Sequence, residues 1–243
     1  MASSYTVPVT AYGAGRHGVH NIAPMRSQLI LSLILLAAAP LACEAQSTAT
    51  LRLLQNAMTL TPDTGNGEHL YNQYCSACHQ PSAWGNGPHK IPSLAGQQSL
   101  YLLEQLIQFS VRDRTQAAMH RVVTQPEITS AQAQRDISAY VAALPLNPNP
   151  DSGAGTQLHV GKRLYTQTCA ICHGNDGAGS AEDLIPAIGG QRYGYLTVRL
   201  REFPREHTDL LEPALADVLR GLSPSELQAV AAYTSSLPAL RAR

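Results

Sequence analysis

The pentapeptide Cys-x-x-Cys-His occurs twice in this 243-residue chain and constrains its fold more than any other feature. It reads Cys75-Ser-Ala-Cys78-His79 and returns 94 residues later as Cys169-Ala-Ile-Cys172-His173. Two thiols at this spacing can each add to one vinyl group of a haem, and the histidine that follows can then lie under the iron. The sequence therefore predicts two covalently bound haem c groups.

Other uses of paired cysteines fit less well. A zinc ribbon needs two pairs about 15–20 residues apart, whereas the two pairs in this chain are 94 residues apart. A thioredoxin-like redox motif expects a βαβ setting, which the sequence does not indicate. Simple disulfides would not need a histidine after both pairs, so the haem interpretation is favoured.

The repeat extends beyond the two pentapeptides. The segment 91–97 returns at 185–191, and three aromatic residues recur at the same offset: Tyr71 as Tyr165, Tyr101 as Tyr195 and Phe109 as Phe203. Each copy has about 85 residues, which is small for a stable core unless a covalent group reinforces it. We predict two tandem domains, 61–146 and 157–243, joined by a linker at 147–156 that is rich in Pro, Gly and Asn.

The pattern within each copy is helical. Ile137, Tyr140, Val141 and Leu144 have the spacing of one helix face, and the last helix of the second copy repeats that spacing with a weaker apolar face. Helices are also predicted before each cysteine pair and over 99–109 and 193–203. Capping boxes are predicted where the last helix of each copy begins: Thr129 with Gln132, and Ser223 with Glu226. No strand pattern is evident, so the expected class is all-α.

Residues 1–45 are interpreted as an N-terminal extension followed by a secretory signal at about 25–45. Arg26 precedes an apolar run over 29–39, and small residues before Gln46 suit a signal peptidase. A lipid anchor at Cys43 is the alternative, because Leu41-Ala42-Cys43 partly fits a lipobox. Residues 46–60 are expected to be a flexible segment. The predicted location is the periplasm, with the protein either released or anchored by lipid.

At the haem motifs the sequence resembles the class I cytochromes c, and above all the dihaem cytochrome c4 family, from about Leu60 to the C-terminus. Pro92-Ser-Leu94-Ala-Gly96-Gln97 carries the likeness outside the pentapeptides. The resemblance implies two tandem domains, each wrapped around one haem, with His79 and His173 as proximal ligands. It also implies that the proline carbonyls accept a hydrogen bond from those histidines and that two apolar residues pack on the porphyrin: Pro92 and Leu94 in the first copy, Pro186 and Ile188 in the second.

The two copies differ in the residue available as sixth iron ligand. The resemblance implies a methionine before the last helix, and Met119 stands there in the first copy, with His120 as its rival. The chain has no methionine after Met119, and Pro213 occupies the matching place, with Leu215 two residues on. The second iron could be open, or it could take His207, His159 or Met58.

The predicted function is electron transfer between redox partners such as an oxidase, a quinol-oxidising complex or a periplasmic dehydrogenase. Enzymatic activity is left open: an open second haem could reduce peroxide with His207 or Arg205 as acid–base group, or could bind a gas. The formal net charge is zero, which gives no support for nucleic-acid binding. Membrane contact is expected only through partners or through a lipid at Cys43.

Overall fold

The computed structural model describes residues 49–151, 153, 157–205, 213–239 and 241. Within these residues the chain is helical, and its only bridges are two isolated antiparallel ones, Asn86–Ile91 and Ser180–Ile185. The predicted all-α class is confirmed. No helix in this part of the chain combines the length and apolar character needed to cross a membrane. The expected signal at 25–45, including Cys43, lies outside the described residues.

From α2 onward, the helices of the first half recur in the same order in the second half. In the first half they are α1 (49–58), α2 (Thr64–Tyr74), α3 (Ser76–His79), α4 (Ser99–Val111), α5 (Ala117–Val123) and α6 (Ala131–Ala143). In the second half they are α7 (Leu158–Leu164), a π-helical turn (Tyr165–Cys169), α8 (Ala170–His173), α9 (Tyr193–Glu202), a 3-10 turn (Phe203–Arg205), α10 (Pro213–Arg220) and α11 (Pro224–Ser236). The predicted helices over 99–109 and 193–203 thus correspond to α4 and α9.

Helix α1 differs from the flexible segment expected at 46–60. Leu54 and Ala57, three residues apart on one helix face, are buried against Leu103 and Ile107 of α4. The side chain of Thr50 also donates a hydrogen bond to the carboxylate of Asp113. Pairing with the outer face of α4 therefore orders a short helix whose sequence alone gives only a weak signal.

The first and last helices of each domain cross closely, and a glycine sits at each crossing. Gly67 of α2 faces α6, where a Cβ would overlap the carbonyl oxygen of Asp136. Gly161 of α7 faces α11 in the same way, against the carbonyl of Ala229. A residue without a side chain is what allows the two backbones to approach this closely.

A pair of tyrosine rings packs beside each crossing. The ring centroids of Tyr71 and Tyr140 are 5.7 Å apart, and those of Tyr165 and Tyr233 are 5.3 Å apart. Tyr233 follows Tyr140 by 93 residues, whereas Tyr165 follows Tyr71 by 94. The second domain is therefore one residue shorter before its last helix.

The predicted caps of the last helices had different outcomes. The capping box of Ser223 and Glu226 is confirmed at the start of α11. The box predicted for Thr129 and Gln132 is wrong, because Ser130 caps α6 instead and accepts from the backbone N–H of Ala133. The N–H of Thr129, which a capping box would donate to Gln132, instead donates to the carbonyl of Gln125. The side-chain amide of Gln132 donates to the carbonyl of Thr61 and to the carboxylate of Asp136, one turn further along α6.

The glycine at the first crossing gives a stability prediction. We expect Gly67→Ala to lower the free energy of unfolding of the first domain by about 1–3 kcal/mol, because a Cβ overlaps backbone that cannot move independently. This cost exceeds the about 1 kcal/mol that alanine gains over glycine in a helix. Denaturant unfolding of the haem-loaded protein, followed by the haem absorption of each domain, measures the change.

The matched control is Gly65→Ala in the same helix. There a Cβ meets only the side chain of Asp63, at 3.3 Å, and the position is exposed. This variant should unfold at the same denaturant concentration as the natural protein or at a higher one. Equal destabilisation by both substitutions would contradict the close crossing.

Candidate haem sites

Each Cys-x-x-Cys-His motif lies where the first helix of a domain ends. In the first domain Cys75 follows α2, while Cys78 and His79 belong to the single turn of α3. Cys169 ends the π-helical turn of the second domain, and α8 carries Cys172 and His173. None of these four motif cysteines is paired in a disulfide; the first of each pair is half-buried and the second is exposed. The thiols are therefore not consumed by disulfides and can be reached by a vinyl group.

Both histidines are held by a proline carbonyl thirteen residues further along the chain. Nδ1 of His79 lies 3.3 Å from the carbonyl oxygen of Pro92, and Nδ1 of His173 lies 3.0 Å from that of Pro186. A carbonyl can only accept, so Nδ1 carries the proton and Nε2 keeps its lone pair for a metal. Burial lowers the pKa of both histidines, although the bond to the carbonyl acts in the opposite direction. Each imidazole is thus neutral and oriented.

Glycines missed by the sequence analysis shape the pocket behind each histidine. Gly85 and Gly179 have positive φ angles of 70°. A Cβ on Gly85 would overlap the carbonyl oxygen of Pro92, and one on Gly179 would overlap that of Ile185. Their N–H groups also bind the carbonyls of His79 and His173, at 3.0 and 2.9 Å. Their recurrence at the 94-residue offset was the signal that could have found them.

The loop after each proline is fixed by backbone hydrogen bonds. The N–H of Leu94 binds the carbonyl of Ala83, and the N–H of Ile188 binds that of Gly177, both at 2.8 Å. Both side chains are half-buried, and Leu94 packs against the core of the first domain. This placement is compatible with the predicted packing of an apolar residue on a porphyrin face.

In α5, hydrogen bonding distinguishes Met119 from its rival His120. Both ring nitrogens of His120 are engaged: Nδ1 donates to the carbonyl of Phe109 at 2.8 Å, and Nε2 accepts from Arg112 at 3.1 Å. Met119, the preceding residue in α5, is half-buried, and its thioether needs no hydrogen-bond partner. Of these two neighbours, His120 is therefore the one whose donor atoms are already bound by other groups.

In the second half, no methionine followed by histidine corresponds to Met119 and His120. Leu215 lies half-buried in α10, and His159 is exposed in the first turn of α7. Met58 is 48% exposed at the end of α1. The candidate His207 lies outside the described residues. The repeat offset falls from 94 to 93 residues before α11. The repeat position of Met119 is therefore occupied by Pro213 or by Glu212, and neither side chain contains sulfur.

The two haem loops meet at the boundary between the domains. Arg192 donates to the carbonyl of Trp84 at 2.7 Å and pairs with Asp151 at 2.9 Å. Arg114 donates to the hydroxyl of Tyr195 at 2.9 Å.

Two glutamines also bind across this boundary: Gln97 contacts Ala187, and Gln191 contacts Ser93. In the sequence these glutamines are one repeated pair, for which no role was predicted.

Comparison with known proteins agrees with this geometry. The cytochrome c family profile matches residues 65–145 and 159–238. Cytochrome c4 of Pseudomonas aeruginosa is 32% identical over 173 residues, covering 67% of this chain and 83% of that protein. A protein of Stutzerimonas stutzeri described as a thiosulfate dehydrogenase electron acceptor is 28% identical over 202 residues, covering 74% of this chain and 90% of its own. The crystal structure of reduced cytochrome c4 from Pseudomonas stutzeri aligns with a TM-score of 0.58 and 26% identity, covering 73% of this chain and 100% of that one.

The chain belongs to the cytochrome c family, which its profile matches twice. It is a dihaem protein similar to cytochrome c4, and it carries two covalent haem c groups. The residues present fit that group, since each half offers two accessible thiols and one neutral imidazole with its Nε2 lone pair free. Its general activity is electron transfer.

Separate substitutions of Met119 and His120 test the sixth ligand of the first haem. We expect Met119→Ala to remove the sulfur-to-iron charge-transfer band of the oxidised protein and to lower the potential of that haem, because a thioether ligand favours ferrous iron. His120→Ala should keep the band, since both of its ring nitrogens are already bound elsewhere. Near-infrared absorption of the purified variants provides the measurement. A band that survives in Met119→Ala would exclude this ligand.

Proposed function

We propose that Cys75, Cys78, Cys169 and Cys172 attach the two haems and that His79 and His173 are their proximal ligands. The hydrogen bond from Nδ1 of each histidine to a proline carbonyl carries this proposal. Such a partner orients the ring and makes it a more basic ligand. We further propose Met119 as the sixth ligand of the first iron, with Leu94 and Ile188 packed on the porphyrins.

The haem c groups supply one-electron exchange between ferrous and ferric iron. The chain's own residues set the conditions for that exchange. The proline carbonyls keep the proximal imidazoles oriented, and the domain boundary holds the two haem loops together through Gln97, Gln191 and Arg192. This arrangement suits a carrier that takes up an electron in one domain and releases it from the other.

We infer that this carrier works in the periplasm, which the secretory pattern at about 25–45 supports. Its partners would be a dehydrogenase or a quinol-oxidising complex as donor and an oxidase as acceptor. A thiosulfate dehydrogenase is the first donor to test, because a relative with 28% identity is described as the electron acceptor of such an enzyme.

Stopped-flow mixing tests the carrier role. The oxidised dihaem protein is mixed with purified thiosulfate dehydrogenase and thiosulfate, and haem reduction is followed by absorption. We expect both haems to be reduced within the turnover time of the dehydrogenase, and neither when enzyme or substrate is omitted. Reduction by a quinol-oxidising complex but not by thiosulfate dehydrogenase would identify that complex as the donor instead. Reduction by neither would count against the carrier proposal.

A second candidate function follows from the missing methionine in the second half, where Leu215 stands near the matching place. An iron without a strong sixth ligand can bind a small diatomic molecule or react with peroxide. This observation makes a gas-binding or peroxide-reducing role for the second haem worth testing beside electron transfer.

Carbon monoxide distinguishes the two candidates. We expect about half of the haem in the reduced protein to bind carbon monoxide, since a Met-ligated iron is closed to it and the second iron lacks that ligand. The Soret band reports the bound fraction. Cys169→Ala/Cys172→Ala, which should keep only the first haem, serves as control and should bind none. If the natural protein binds none either, both irons are six-coordinate and the second candidate fails.

A further inference from the structure

Two glutamines reach across the domain boundary and bind equivalent backbone positions in the opposite domain. Gln191 accepts from the N–H of Ser93 and donates to its carbonyl, both at 2.8 Å. Gln97 accepts from the N–H of Ala187 at 3.1 Å and donates to its carbonyl at 2.8 Å. Ser93 and Ala187 share one repeat position, and the glutamines share another. The contact is therefore reciprocal.

A third hydrogen bond sets the orientation of each side-chain amide. The Oε1 atom of Gln97 also accepts from the N–H of Gln98, and that of Gln191 also accepts from the N–H of Arg192, at 3.0 and 2.9 Å. Gln98 and Arg192 are the residues that precede α4 and α9. Each carbonyl end thus lies between two donors, one of which belongs to the other domain.

The N–H that each glutamine binds shares a peptide group with the proline carbonyl. Ser93 N–H and Pro92 C=O are the two ends of one planar amide, and that C=O accepts from Nδ1 of His79. The same holds for Ala187 N–H, Pro186 C=O and His173. A continuous hydrogen-bonded path therefore runs from each proximal histidine, through one peptide group, to a glutamine of the other domain.

Hydrogen bonds at the two ends of one amide strengthen each other. When the N–H donates, electron density moves towards the carbonyl oxygen, which becomes a better acceptor; condensed-phase strengthening is about 10–30% per bond. A better acceptor draws the Nδ1 proton more strongly and makes the imidazole a more basic ligand. A more basic ligand stabilises ferric over ferrous iron and lowers the potential.

We propose that Gln191 tunes the potential of the first haem and that Gln97 tunes that of the second. Both are positioning residues that act through the peptide groups Pro92–Ser93 and Pro186–Ala187. Each domain thereby lowers the potential of its neighbour's iron as long as the two are docked. The inference rests on His79 and His173 being the proximal ligands, and it is independent of the donor and acceptor.

Other cross-boundary bonds do not reach these peptide groups. Gln98 donates to the carbonyls of Ser180 and Ile185, neither of which belongs to the peptide that binds a histidine. Gln98 is the matched control, because it is the same residue type at the same boundary and is uncharged.

The experiment compares Gln191→Leu, Gln97→Leu and Gln98→Leu as dihaem proteins. Redox titration followed by the NMR signals of the haem methyl groups, assigned through contacts within each domain, gives a separate potential for each haem. We expect Gln191→Leu to raise the potential of the first haem more than that of the second, and Gln97→Leu to do the reverse. Gln98→Leu should leave the potential of the first haem unchanged.

Three results would overturn the proposal. The first is an equal shift of both haems in Gln191→Leu. The second is a shift of the first haem in Gln98→Leu as large as in Gln191→Leu; either of these would mean that the glutamines only hold the domains together. The third is two haems per chain with potentials unaltered by any variant, which would refute the tuning while leaving electron transfer intact. Loss of haem from His79→Ala or His173→Ala tests the ligand assignment separately.

A measurement on the natural protein avoids dependence on variants that fail to fold. In the reduced, carbon-monoxide-treated protein, scalar coupling across the hydrogen bond should connect the Ser93 amide nitrogen with the side-chain carbonyl carbon of Gln191. The same coupling should connect Ala187 with Gln97. Absence of both couplings, with other amide hydrogen bonds detected, would remove the path and the inference with it.

Discussion

One hydrogen bond in each domain, from Nδ1 of the histidine proposed as proximal ligand to a proline carbonyl, is the interaction on which the candidate haem site depends. It selects the tautomer that leaves Nε2 free, and it requires the carbonyl to be fixed in space. Gly85 and Gly179 leave room for the loop that carries the proline carbonyl. The close crossings at Gly67 and Gly161 position the helices that lead to the cysteines. The domain boundary then adds a bond to the far end of the same peptide group.

The two halves keep this proximal arrangement and differ on the opposite side of the haem. The first half has Met119, and both ring nitrogens of the neighbouring His120 are hydrogen-bonded to Phe109 and Arg112. The second half has no methionine, and its last helix comes one residue earlier in the repeat. The repeat thus keeps the bond between histidine and proline and varies the residue at the place of Met119.

Spacing along the chain was enough to predict the haem motifs, the repeat and the helical class, and the family resemblance implied the bonds between histidine and proline. These follow from covalent distance, periodicity and the resemblance of a short motif. Spacing was not enough for α1, whose ordering comes from packing on α4. It was not enough for the cap of α6 either, where the N–H of Thr129 donates to Gln125 and Ser130 takes the cap position. A contact between distant parts of the chain outweighed the local preference at α1, and a competing local hydrogen bond did so at α6.

The sequence by itself determined that this chain binds two haems in two similar domains, because covalent attachment needs only the cysteines and histidine of a pentapeptide. The tertiary structure alone decided how the domains meet. Gln97 and Gln191 are ordinary polar residues in the sequence, and only docking brings each of them to the peptide group behind the other domain's histidine. The physical reason is that a hydrogen bond acts over about 3 Å and depends on angle, so its partner is set by the packing of whole domains.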